Sequence, residues 1–202
     1  MSKYQSLFSE LKVGKKTLKN RICLCATVTN FAQNNKITES WRNFLLERAR
    51  GGAAMLVTEV IAVDPEAIAQ ASTITGFDQT NEVGFKQIAD DVHKEGAVII
   101  GQLWHPGRQQ LWHPTKSPIG VSNLPDPYSG TVPHVMETEE VLRVAESYIN
   151  TAKRLSDCGF DGVELHGAHG YLIMQFLSPA SNNREDMFGG DLESRTLFVR
   201  KI

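Results

Sequence analysis

Four short apolar stretches, each followed by a segment of helical periodicity, constrain the fold of this chain more than any other feature. They cover 22–26, 53–60, 97–103 and 162–166. Each is apolar on both faces instead of alternating, as parallel strands covered on both sides are. The first helix is predicted over 38–50, with Thr38 as N-cap and Gly51-Gly52 at its end, and the second over 81–95, stopped by Gly96. A third opens at Thr138 as N-cap, with Glu139 and Glu140 in its first turn, and runs to about Cys158 before Gly159; a fourth begins near Leu192. The alternation predicts an α/β fold with a parallel sheet and right-handed crossovers, and no linker divides it, so 1–202 is read as one domain.

Charge narrows the classes of partner. With 21 basic against 23 acidic residues, no excess of positive charge draws in phosphate backbones or acidic membranes, and nucleic acid is not an expected partner. The opening MSKYQSLFSELKVGKKTLKN has no apolar run of signal-peptide length, and no window reaches the roughly 18 apolar residues of a membrane span. A cytoplasmic protein is expected. Three cysteines, Cys23, Cys25 and Cys158, have no matching ligand set and are read as buried, reduced thiols.

The connections are unequal. Segments that follow a strand are longer than the glycine turns that precede the next one, and 109–137, about 29 residues rich in Pro, Gly and Ser, is the longest. Loops of that length in a compact domain are usually functional or disordered. In an α/β barrel the chemistry gathers on that face. Trp104, Trp112, Tyr128 and the prolines around them are read either as an apolar lid or as ordinary loop packing.

The densest chemistry lies in VELHGAHGY, residues 163–171. A strand ends at His166, the backbone turns through two glycines, and two imidazoles and a phenol come to one rim. A histidine pair can clamp a carbonyl or nitro oxygen and stabilise developing enolate charge, and Tyr171 can then deliver a proton. A single histidine would more often be a structural one; two beside a tyrosine at a strand terminus point to function. Zinc would need a third ligand or a helical His-Glu-x-x-His, neither of which the sequence offers, so no metal is expected. No Gly-x-Gly-x-x-Gly follows a strand, and a Rossmann dinucleotide site is not indicated.

The stretch HGAHGYLIMQFLSPASNNREDMFGGDLESRTLF resembles the signature of the Old Yellow Enzyme family: His-x-x-His/Asn-x-Tyr-Leu, then Gln-Phe-Leu-Ser-Pro, Asn-x-Arg-x-Asp and Gly-Gly. LKNRI at 18–22 is similar to the family's first-strand entry and GQLWHPGR at 101–108 to its third-strand end. Within the family the chain leans towards the bacterial NADH:flavin oxidoreductase and 2,4-dienoyl-CoA reductase branch. The resemblance implies an FMN-containing TIM (β/α)8 barrel that takes hydride from NADH or NADPH onto the flavin and passes it to an activated carbon–carbon double bond.

By position, it implies that His166 and His169 bind the electron-withdrawing oxygen of a small-molecule alkene and that Tyr171 protonates the other alkene carbon. Gln102 would hydrogen-bond the pyrimidine edge of the flavin, a task suited to an amide that both donates and accepts. Ala26, Thr27 and Val28 match the segment that runs along the isoalloxazine, and Val60 a second-strand position near its ring. Many relatives have Pro-Met followed by Cys, Thr or Gly where this chain has Ala26-Thr27-Val28, and some place a positive side chain at the position of Gln109. Arg108 is read either as a salt-bridged loop residue or as functional. Asn183, Arg184 and Asp186 are read as a loop scaffold.

A complete barrel of this kind has eight strands and about 250 residues, with phosphate held after strands seven and eight. The chain is therefore expected to be the N-terminal half, about four βα units, lacking the C-terminal strands and the main seat of the FMN phosphate. Its end strands would be open edges, to be covered by a complementing C-terminal half or by a second copy in a homo-oligomer. The alternative to an ene-reductase is a truncated half-barrel without independent catalysis, serving as a binding or assembly module; a metal-dependent hydrolase is the third reading.

Overall fold

The computed structural model describes residues 4–110 and 116–202; Trp112, part of the lid reading, lies outside the described residues. In chain order the elements are β1 (Leu11–Val13), β2 (Lys16–Leu18), β3 (Cys23–Leu24), α1 (Glu39–Arg50), β4 (Met55–Ala62), β5 (Ile74–Thr75), α2 (Glu82–Lys94), β6 (Val98–Trp104), β7 (Ile119–Gly120), β8 (His134–Val135), α3 (Thr138–Asp157), β9 (Gly162–Leu165), α4 (Leu172–Leu177) and α5 (Leu192–Lys201).

The main sheet runs β3-β4-β6-β9 and is parallel throughout, with β5 paired to the far end of β4. Spatial order follows chain order without reversal, which is the progression of a (β/α)8 barrel and not of a doubly wound sheet. Helices α1, α2, α3 and α5 pack in sequence, each on the next. The fold is thus four consecutive βα units of a barrel. The antiparallel β1–β2 pair precedes the first unit, and Lys16 on β2 reaches Asp161, at the start of the fourth, at 2.6 Å.

The helix starts follow local chemistry. Thr38 caps α1, its side chain accepting from Trp41 N at 3.2 Å, so orphan donors of the first turn are satisfied within the sequence. The predicted N-cap of α3 is displaced by one residue: Glu137 holds the extended cap conformation and Glu140 accepts from its N–H at 2.8 Å. Thr138 instead donates to Asp186 at 2.8 Å, a distant partner no local pattern could reveal. Trp41, Phe85, Tyr148, Phe176, Phe188 and Phe198 are fully buried between and beneath the helices, with Phe176 stacked on Phe198 at 4.3 Å.

Two expectations need correction. Cys23 and Cys25 are exposed, and only Cys158 is buried; β3 is the end strand of the sheet, so nothing among the described residues covers the cysteines on that side. The strands are also not apolar and covered on both faces throughout: Val163 and Glu164 of β9 are exposed. That β9 is the opposite end of the sheet gives the same reason. Among the described residues no helix is long and apolar enough to cross a membrane.

Candidate active site

Beyond the C-terminal ends of the strands lies a cavity of about 370 Å³, within the range of small-ligand sites. Ala26, Thr27, Val28, Val60, Gln102, His166, His169 and Tyr171 all line it, together with Glu59, Trp104, Gln109 and the segment contributing Ala69, Gln70, Ser72 and Thr73. The residues singled out in the sequence are thus gathered from four separate strand ends. Tyr128 is 84% exposed and is not among the lining residues, whereas Trp104 is.

The register explains the arrangement. Val60, Gln102 and Glu164 stand abreast on β4, β6 and β9, and residues in one row share a face of the sheet. Consecutive strand residues normally point to opposite faces, yet Glu59 and Val60 both line the cavity. The β4–β6 register shifts between Val57 and Val60, and such a bulge re-aims side chains near a site. Glu59 is 3% exposed; burial pushes its carboxyl upward from the ordinary range, while hydrogen bonds from Thr29, Trp41 and Asn30 oppose the shift.

The His-Tyr cluster is held by its own turn. His169 adopts φ 57° and Gly170 φ 76°, left-handed backbone that costs a non-glycine residue roughly 1–2 kcal/mol. Gln109 Nε2 donates to the His169 carbonyl at 3.0 Å and Gln175 Nε2 to that of Gly170 at 2.7 Å. Strain fixed in this way at a loop is a mark of functional turns. The ring centroids of His166 lie 5.1 Å from His169 and 4.9 Å from Tyr171, and Trp104 meets Tyr171 edge-on at 5.2 Å.

Protonation states follow from these surroundings. Burial, and then the charge of His169, hold the His166 imidazole below its ordinary value of 6.5. Its Nδ1 accepts from Ala168 N at 3.4 Å, so the network assigns the proton to Nε2, leaving a neutral ring with one outward donor. Burial raises the Tyr171 phenol above its ordinary value of 10.0, keeping it protonated near neutral pH. The site therefore offers imidazole donors beside a phenolic acid.

The remaining candidates fall outside this chemistry. Arg108 Nη1 donates to Leu124 O at 3.3 Å and joins no ion pair among the described residues. Arg184 binds Asp186 through Nε at 2.9 Å and Nη2 at 2.6 Å and donates to Val121 O and Met136 O, as a loop scaffold does. Asn183 contacts Asn123 at 3.4 Å. Sequence reading missed Glu59, Glu164, Gln175 and the Gln70–Thr73 wall; only Glu164, flanked by the strand and the histidines, carried a visible signal.

Open barrel units with a cleft over their strand ends thus carry a histidine pair beside a half-buried tyrosine, the frame of a barrel-type active site. The model of the NADH:flavin oxidoreductase / NADH oxidase family matches residues 6–202, and the chain belongs to that family. The family's cofactor is FMN, with NAD(P)H as hydride donor. The chain is 35% identical to an NADH oxidase of Thermoanaerobacter brockii over all of its own length and 32% of that protein's. It is 32% identical to an NADPH dehydrogenase of Bacillus subtilis, covering 98% of this chain and 59% of the relative. Morphinone reductase superposes with a TM-score of 0.87 at 28% identity over 97% of this chain and 57% of that one. For 2-naphthoyl-CoA reductase the TM-score is 0.91 at 29% identity, over 98% and 32%. The chain thus spans between about a third and three-fifths of the length of these relatives.

The donor set fits the ring system of FMN. Gln102 is 9% exposed, its Oε1 has no hydrogen-bond partner among the described residues, and it stands beside the aliphatic Val60 at the cavity wall. Among the described residues the lining includes no lysine or arginine.

Proposed function

We propose that this chain carries the substrate side of an FMN-dependent NAD(P)H oxidoreductase that reduces an activated carbon–carbon double bond of a small molecule. The observation that carries this reading is the convergence of His166, His169 and Tyr171 on the cavity lined by Gln102 and Val60. FMN, when bound, supplies hydride transfer. Gln102 would bind the flavin's pyrimidine edge, and Ala26, Thr27, Val28 and Val60 would lie along its ring.

His166 and His169 would orient the electron-withdrawing oxygen of the substrate through imidazole N–H donors and stabilise the charge that develops there. Tyr171 would donate its phenolic proton to the alkene carbon not receiving hydride. Closure of the open strands β3 and β9 by a complementing C-terminal half, or by a second copy, belongs to the same proposal, since the relatives are longer than this chain. Three free cysteines among the described residues suit a reducing, cytoplasmic setting.

The test separates the half-reactions in the flavin-loaded protein. Tyr171→Phe is expected to slow alkene reduction by about 100-fold or more, the usual worth of a positioned acid, and to leave flavin reduction by NAD(P)H nearly unchanged. Equal slowing of both half-reactions would remove the assigned role of Tyr171.

A further inference from the structure

We infer that Glu164 is a positioning residue for the flavin edge: it fixes the amide of Gln102 with its oxygen towards the cofactor and adds a negative charge beside it. This rests on the reading of the cavity as an FMN site. The two residues are directly paired across β6 and β9, and Gln102 Nε2 donates to Glu164 Oε1 at 2.6 Å.

An amide group alone does not specify its orientation, because its oxygen and nitrogen ends have nearly the same shape. A carboxylate removes that freedom, since it only accepts. With nitrogen committed to Glu164, the Gln102 oxygen becomes the group left to address the cavity. An acceptor in that place complements a ring N–H donor, which the pyrimidine edge of an isoalloxazine supplies, and the second amide hydrogen remains for a neighbouring ring carbonyl.

The charge has a separate consequence. Reduction of a flavin places additional electron density on the pyrimidine edge, and a carboxylate one side chain away opposes it. Glu164 is therefore expected to hold the flavin at a lower potential than a neutral residue would. Glu164 is exposed among the described residues, so replacing it removes no packing within them.

Flavin-loaded parent, Glu164→Gln and Glu164→Ala proteins would be compared by spectroelectrochemical midpoint potential and by FMN titration, with circular dichroism to verify folding. Both variants are expected to show a higher midpoint. Loss of the charge-assisted bond in Glu164→Ala is expected to weaken FMN binding about tenfold, the ordinary scale for such a bond. A parent that binds FMN while both folded variants retain its midpoint and affinity would overturn the role of Glu164 and leave the flavin reading standing. A parent that binds no FMN even when joined to a complementing C-terminal half would overturn both.

Discussion

Gln175 Nε2 lies 2.7 Å from the carbonyl oxygen of Gly170, tying helix α4 to the turn that precedes Tyr171. The same nitrogen donates to Pro106 O at 3.1 Å, and Oε1 accepts from Arg108 N at 3.2 Å. One buried side chain, 1% exposed, thus locks the loop after β6 against the loop after β9. The elements that carry Gln102 and the His-Tyr cluster cannot drift apart while it is in place.

Replacing that side chain by Leu keeps its bulk and strands two carbonyls and one N–H. Such orphaned groups cost about 1–3 kcal/mol each when they stay dry, and the exposed rim lets some be rehydrated. Gln175→Leu is therefore expected to lose about 3 kcal/mol in urea denaturation, consistent with one to two unrelieved groups. A loss below about 0.5 kcal/mol, the level of ordinary surface substitutions, would show that the two loops are held by something else.

Gly189 separates steric from conformational cost. A Cβ there would sit 1.9 Å from the backbone oxygen of Arg184, and Arg184 is anchored to Val121, Met136 and Asp186, so the loop has no direction in which to yield. Gly189→Ala is expected to cost more than about 3 kcal/mol. Gly14 has φ +56°, but a methyl added there would meet nothing within 4 Å, and Gly14→Ala should cost only about 1 kcal/mol. Thermal unfolding of the two variants checks the ranking, and a reversal would refute it.

Acid should act through His105 before it acts on the loop carboxylates. Burial, opposed by Asp64 and aided by Arg143, holds this imidazole at about 4 against an ordinary value of 6.5, and its Nδ1 accepts from Gly107 N at 3.0 Å. Between those two values the unfolded chain binds more protons than the folded one, so stability rises with pH there. The contribution is complete above about 6.5 and is lost as pH falls towards 4, a total of about 3 kcal/mol. Asp186, held at about 2 chiefly by Arg184, adds its loss only at lower pH. Urea denaturation from pH 7 to 4 should therefore show a steeper decline for the parent than for His105→Gln; parallel curves would assign the decline to other groups.

The parts legible in the sequence were those set by local pattern. Apolar stretches and glycine stops located the four main strands and their helices, and the motif around His166 located one wall of the cavity. What stayed hidden depends on pairing between distant segments. The Gln102–Glu164 bond spans 62 positions and the Gln175–Pro106 bond 69, and neither partner announces the other. The cysteines at and just after β3 failed for a related reason: residue type predicts burial only when the sheet around it is complete, and β3 is an end strand. The bulge in β4 that turns Glu59 to the cavity breaks the regular in-and-out order of a strand, so no period in the sequence marks that residue as facing the site.

The paired imidazoles make a final prediction that does not depend on turnover. His166 is held below 6.5 first by burial and second by the positive charge His169 carries when protonated; their ring centroids are 5.1 Å apart. Removing His169 eliminates the repulsive part and opens the site to water, and both changes favour the imidazolium. In His169→Ala the His166 titration, followed by NMR of its ring protons, should therefore move upward towards 6.5, whereas in the parent it lies lower. The sign carries over to function: above that range His166 stays a neutral donor, so the hydrogen bond it gives an uncharged carbonyl ligand should not vary with pH between about 7 and 8.5, the region about one-half to two units above its ordinary value. Below it the imidazolium forms and, as a stronger donor, tightens the same ligand. A His166 midpoint that stays fixed or falls in His169→Ala would mean that neither the charge of His169 nor its shielding of the neighbouring ring sets the His166 titration.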